Sequence, residues 1–413
     1  MKIGKRTLPV PVPVRIIGVV LLMVPMLSGC WDSLELDKRA VVLGISVDEA
    51  DSGAAEEESE VSHLKGKFPA PKNDMIRLTA QIALPGRIPL GPGEGGGVDA
   101  KQTVWPIEVT GHTVDDALMN LQQQISSRLF FGHLRIIVVS EAVAQKGLQN
   151  LNDYFRRNSE VRRTTWMLIS EGKAKDLMTA APKLGRLPTL YLITTMDQAV
   201  KMGKFPNNFL GSFWSDSSKK GQEAYLPYVE LKKDSNVEIK GLAFFKGDKM
   251  NGVTKPFEIA AFMSIKGWNP AGYRGFVPVD GKDGAVNLNA TYRKSKIEAE
   301  IRNGRPHINV SVQLEVNLEE KTNERIFIDN PDIIREIEQA DRQAAGKMYR
   351  AFIDKMKEEG SDIFGFGEHI RAKEPHYWDR NIKTKEKWQE IYKDVPVDVS
   401  VKIHIRRIGM KTR

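Results

Sequence analysis

Six apolar residues, Ile308, Val310, Val312, Leu314, Val316 and Leu318, alternate without a break with Asn309, Ser311, Gln313, Glu315 and Asn317. Successive side chains on a strand point to opposite faces, so this spacing requires an extended segment with one buried face and one wet face. A helix would scatter the same six residues around its circumference. Ile297, Ala299 and Ile301 carry the same period just upstream, and Asn303-Gly304 between them supplies the positive-φ pair of a tight hairpin. Val395, Val397, Val399, Val401, Ile403 and Ile405 repeat the pattern near the C-terminus. A long helical stretch separates these strands. Asn330 caps it, Pro331 fits its first turn, Gly360 stops it, and Ile337, Ala340, Ala344, Met348, Ala351 and Phe352 form its apolar face. The prediction is a C-terminal antiparallel sheet packed on a long helix.

Upstream, strand and helix patterns alternate. Ala40–Val47 and Met75–Leu84 read as strands, as do Leu134–Ser140 and Thr164–Ser170. Helices are expected after Thr113, through Leu148, Leu151 and Phe155, and from Pro188 to about Phe213. Asn236–Thr254 reads as a hairpin turning at Gly247-Asp248. Glu49–Asp74 is acidic and poor in apolar residues, as a solvated loop is. The class is therefore α+β, a multi-domain mixed α/β chain. The expected divisions are a leader over 1–29, a mixed α/β domain over 30–205, a middle domain over 206–290 and the sheet-and-helix domain over 291–413.

The leader rests on a short stretch. Lys2, Lys5, Arg6 and Arg15 precede the run Ile16–Leu27, in which every residue is apolar, Gly or Pro. As a helix that run spans about 18 Å, against the roughly 30 Å core of a bilayer, so it suits a signal peptide better than a membrane span. Leu27-Ser28-Gly29-Cys30 then resembles a bacterial lipobox, and Cys30 is the only cysteine in the chain. Lipidation of Cys30 would tether the protein to a membrane and leave no thiol for a disulfide, so stability must come from burial. Cleavage there leaves 57 basic residues against 53 acidic ones, a net charge of +4. That mild excess suits a protein near anionic headgroups. It does not suggest nucleic acid, because basic and acidic residues are interspersed.

No chemical constellation stands out. Gly91–Gly96 fits a dinucleotide fingerprint literally, but prolines precede and interrupt it and an extended segment follows, so it reads as a surface loop. His369 and His376 are the closest histidine pair, without the spacing of a metal helix. Neither an enzyme nor a cofactor or metal is expected. Ser361–Ile370 is unusual for two Gly-flanked aromatics, Phe364 and Phe366. They are candidates for partner contact, and the plainer reading is a tight loop tucking both rings beneath the long helix.

Several stretches together resemble one family. They are Cys30–Asp48, Gly111–Ala117, Phe131–Gly147, Tyr154–Ala174, Gly241–Gly252, Ser361–Gly367 and Val395–Gly409. The chain is similar in these to the Ger(x)C lipoproteins, the C subunits of nutrient germinant receptors in endospore-forming bacteria. The resemblance implies a three-domain mixed α/β ectodomain without known enzymatic activity. It also implies a lipid anchor at Cys30 on the outer face of the spore inner membrane, with an A-type and a permease-like B-type membrane subunit as partners. Of the family's functional positions, only Cys30 carries over. The competing reading is a solute-binding lipoprotein that captures the nutrient itself. It would need a cleft between two similar lobes, and the two halves show no internal repeat.

Overall fold

The structure is a computed structural model that describes residues 38–54, 75–84, 103–180, 187–233, 235–279, 283–328 and 330–407. Cys30 and its lipobox, most of the acidic stretch and the Gly91–Gly96 loop lie outside them.

The described N-terminal part alternates as its apolar periods predict. β1 (Arg39–Glu49), β2 (Ile76–Ala83) and β3 (Val104–Gly111) lead into α1 (Val114–Gln123). Thr113 caps α1, its hydroxyl accepting the Asp116 N–H at 3.1 Å. β4 (Arg128–Phe130) and β5 (Ile136–Ser140) follow, then α2 (Glu141–Lys146), α3 (Gln149–Arg157) and β6 (Trp166–Ser170). After α4 (Ala174–Thr179), α5 (Pro188–Lys201) and α6 (Leu210–Ser218) come β7 (Tyr225–Leu231), β8 (Val237–Lys246) and β9 (Lys249–Val253). These nine strands form one sheet in the order β3-β2-β1-β5-β6-β7-β8-β9, with β4 beside β1. β1, β5, β6 and β7 run parallel at its centre.

β5 and β6 are buried along their whole length, with no polar alternation. The reason is that helices cover both faces. Ile137, Val139, Met167 and Ile169 enter a core with α1, α2 and α3, whereas Ile136, Val138, Trp166 and Leu168 enter another with α4 and α5. The hairpin of β8 and β9, in the expected middle domain, extends this first sheet, turning at Gly247 with φ +67°.

The second core is shared with the C-terminal part. α7 (Glu258–Lys266) leads to β10 (Arg274–Pro278), β11 (Ala285–Arg302) and β12 (Arg305–Lys321). Then come α8 (Pro331–Glu359), α9 (Phe366–Lys373), α10 (Pro375–Asn381), α11 (Lys385–Tyr392) and β13 (Val397–Arg407). β12 has the predicted facing: Ile308, Val310, Val312, Leu314, Val316 and Leu318 are buried, and Ser311 and Gln313 are exposed. Asn303 and Gly304 make the turn into it with φ of 49° and 75°. Asn330 caps α8 by accepting the Asp332 N–H at 2.9 Å, and Gly360 ends it in the left-handed region.

Two details differ from expectation. The sheet is antiparallel only from β10 to β12, and β13 joins β12 in parallel, Val312 lying opposite Val401. A chain that crosses over through four helices returns to the end it left, which is the connection parallel strands require. The face of α8 is also rotated. Ile337, Ala345, Tyr349, Phe352, Ile353 and Met356 are buried, while Ala344 and Ala351 are exposed. The aromatic and branched side chains remove more apolar area from water than the alanines would, so they take the inner position.

Candidate functional site

The loop after α8 was the one segment for which a partner contact was expected. Its rings do not reach the surface. Phe364 and Phe366 are fully buried and stacked with centroids 5.1 Å apart, and Phe364 also meets Phe352 of α8 edge-on. They belong to the core. The acidic residue beside them organises the loop.

Asp362 is 1% exposed, and its carboxylate accepts four hydrogen bonds. Oδ1 takes the N–H groups of Gly365 and Phe366 at 2.9 and 3.1 Å, and Oδ2 takes Gly367 N–H at 2.8 Å and Trp388 Nε1–H at 3.0 Å. Burial pushes its carboxyl up to about 6 while the four donors pull it down. The main chain of Asp362 accepts the Glu223 N–H at 2.8 Å, and the Ser361 hydroxyl donates to Phe245 O at 2.7 Å. Both partners belong to the first sheet or to the turn leading into it.

Glu223 is a second buried acid in this junction. Its carboxylate accepts Gly247 N–H at 3.0 Å, Gln389 Nε2–H at 2.6 Å and Lys385 Nζ–H at 3.2 Å. Burial raises its carboxyl above the ordinary value, and Lys385 opposes that rise. Glu368 and Gly221 exchange two hydrogen bonds, the carboxylate taking Gly221 N–H at 2.8 Å and Gly221 O taking Glu368 N–H at 3.1 Å. The loop and α11 are thus locked onto the entrance of β7 and the end of β8. This is a clamp between the two halves, and its charges are spent on holding them together.

An open cleft of about 540 Å³ lies at the carboxyl ends of β1, β5 and β6, where ligands usually bind in such sheets. Asp48 ends β1, and its carboxylate accepts Ala174 N–H at 2.6 Å and Lys175 N–H at 2.9 Å. Burial still raises it above the ordinary value. Glu108 bridges Arg77, at 2.6 Å, and Lys175. Burial would raise the Glu108 carboxyl, but hydrogen bonds from Lys175 and Arg77 outweigh it and hold the group low. Tyr228 donates to Glu141 at 2.6 Å. Glu108 and Glu141 are thus met by side chains, and Asp48 by main-chain N–H groups. Ser140 also lines the cleft, and its hydroxyl has no hydrogen-bond partner among the described residues.

His369 lies half-buried on α9 and His376 exposed on α10. Among the described residues no three His, Cys, Asp or Glu side chains are placed to hold a metal ion. Among the same residues no helix is long and apolar enough to cross a membrane. Asp362 and Glu223 were missed in the sequence because isolated acids carry no pattern. The available signal was the run of glycines and aromatics that an acid-centred turn needs.

Residues 32–231 match the spore germination protein N-terminal domain, and residues 240–409 match the spore germination B3/GerAC-like C-terminal domain. The junction of the two matches falls at the turn between β7 and β8. The chain is 25% identical over 421 residues to spore germination protein KC of Bacillus subtilis (strain 168), covering 95% of each. It is 23% identical to spore germination protein GerQC of Bacillus cereus, over 73% of this chain and 82% of that one. The crystal structure of the GerBC protein superposes with a TM-score of 0.53 over 82% of this chain and 95% of that chain. At 19% identity the likeness is one of fold.

Proposed function

The chain belongs to the Ger(x)C family of spore germination proteins, and on that premise we propose that it is the lipid-anchored C subunit of a nutrient germinant receptor. In this reading Cys30 carries the lipid on the outer face of the spore inner membrane. The folded body assembles there with an A-type and a permease-like B-type membrane subunit and is needed for the receptor to signal. No catalytic role is part of this reading. The observation that carries the reading is the join of two signals. A lone cysteine follows a short apolar leader, and family likeness then runs through both halves of what remains.

The test compares wild type with Cys30→Ala in spores, following fatty-acid label, membrane fractionation and co-purification of the two membrane subunits. Wild type should carry label and retain both subunits. Cys30→Ala should lose label, accumulate as precursor or leave the membrane, and lower the germination response. Equal labelling of the two proteins would remove the anchor from the proposal, and absence of both membrane subunits from wild-type preparations would remove the receptor.

A further inference from the structure

The two ends of the first sheet differ in charge. β1, β4, β5 and β6 run parallel, so their first residues share one end. Arg39 and Arg128 lie opposite each other at the starts of β1 and β4. Arg135 precedes β5, and its carbonyl accepts the Trp166 N–H at 2.9 Å at the start of β6. Arg162 and Arg163 belong to the turn just before β6, which the Thr165 hydroxyl holds in place by donating to Leu134 O at 2.9 Å. Arginines far apart in the sequence thus meet at one end of the sheet.

Arg128, Arg135, Arg162 and Arg163 are exposed, and none has a carboxylate partner among the described residues. Arg39 is half-buried, its guanidinium 4.7 Å from the centre of the Phe130 ring. The carboxylates nearby are already engaged. Glu160 accepts Phe131 N–H at 2.8 Å, Asp197 accepts Trp166 Nε1–H at 3.0 Å, and Asp153 pairs with Arg157 at 2.8 Å. At the opposite end Asp48, Glu49, Asp51, Glu108 and Glu141 line the open cleft and outnumber its bases Arg77, Lys173 and Lys175. An anionic surface therefore draws the arginine end and turns the cleft away. The start of β1 is also where the chain enters the described body. Residues 31–37 separate Cys30 from Lys38, a path of at most about 28 Å at full extension.

We infer that the arginine end of the first sheet lies against an anionic bilayer surface, with Arg128, Arg135, Arg162 and Arg163 among the lipid phosphates and the acidic cleft facing away. Guanidinium matches phosphate in geometry as well as charge. Each basic residue at such a surface strengthens association about fivefold. Within 128–135 and 158–165 no large apolar side chain is exposed, whereas the centre of a protein interface is apolar and aromatic. The inference rests on the lipid anchor, which keeps this end within reach of the bilayer, and adds to it the orientation of the body.

Cys30 is the only cysteine, so a thiol introduced into the acylated chain is the single site for a fluorophore. Ser159→Cys places it in the loop beside the arginines and Ala142→Cys places it at the cleft, both at exposed positions. Acylation is first read from the mass of the purified protein. The protein is then reconstituted in vesicles of phosphatidylcholine, or of phosphatidylcholine and phosphatidylglycerol in equal parts, carrying a headgroup nitroxide that quenches at contact. In the anionic vesicles quenching at 159 should be several-fold stronger than at 142. High salt should lower it to the level of the neutral vesicles. Replacing Arg128, Arg135, Arg162 and Arg163 together by Gln should do the same without changing the melting temperature. The salt and lipid arms keep the native arginines, so they decide the matter even if that variant folds poorly. Equal quenching at the two positions, or no difference between the two vesicles, overturns the inference while an acyl mass keeps the anchor. A mass without the acyl group overturns the anchor and this inference with it. Cross-linking of position 159 to a co-purified membrane subunit, without quenching by lipid, gives the face to a protein partner and overturns the inference as well.

Discussion

Gly221 and Gly367 touch through their backbones: a β-carbon on Gly221 would lie 2.3 Å from the carbonyl carbon of Gly367. The contact brings the strap before β7 against the first turn of α9, although the two glycines are far apart in the chain. Neither segment can move aside, because Glu368 and Gly221 exchange hydrogen bonds and Asp362 holds Gly367 N–H. Gly221→Ala should therefore destabilise the protein by at least about 1–3 kcal/mol, the ordinary cost of overpacking. Urea denaturation of the full chain measures it. An unchanged midpoint would show that the clamp yields.

Phe366→Ala removes a ring buried between Phe364 and Tyr392. The expected loss is about 3–5 kcal/mol, with a clearly lower melting temperature. A variant that melted like wild type and lost only a binding partner would return the ring to the surface.

Val312 and Ser311 are neighbours on β12 with opposite facing, 1% exposed and exposed respectively. Val312→Asp buries a carboxylate with no partner and should cost more than about 3 kcal/mol. Ser311→Asp faces water and should cost under about 1 kcal/mol. Thermal melts of the two variants side by side decide the register, and equal stability contradicts it.

Burial raises the Asp341 carboxyl from its ordinary 3.8 to about 6. Between about pH 4 and pH 6 the folded protein therefore holds a proton that the unfolded chain has released. The group's contribution to stability is full below that window, falls as pH rises through it, and is lost above. The shift corresponds to at most about 3 kcal/mol. Asp341→Asn keeps the neutral form at every pH, so its stability should decline less than that of wild type between about pH 4.5 and pH 7. Denaturation midpoints at the two pH values measure the difference, and parallel behaviour of the two proteins would refute the assignment.

Period, caps and turns were legible in the sequence because each depends on residues a few positions apart. The alternation of Ile308 to Leu318, the Asn303-Gly304 turn, the Asn330 cap and the Gly360 stop are all local, and all stand in the structure. The reading of Cys30 rests on the same kind of short-range pattern. The direction of β13 was not local. It follows from where four helices deliver the chain, and a period of two is the same read in either direction. The facing of α8 was decided by competition for the space over the second sheet, where Tyr349 and Ile353 displaced Ala344 and Ala351 from the inner face. Asp362 and Glu223 are ordinary acids in the sequence. Only tertiary structure brings Trp388, Lys385 and Gln389 within hydrogen-bond reach of them, and an acid's meaning depends on which donors arrive.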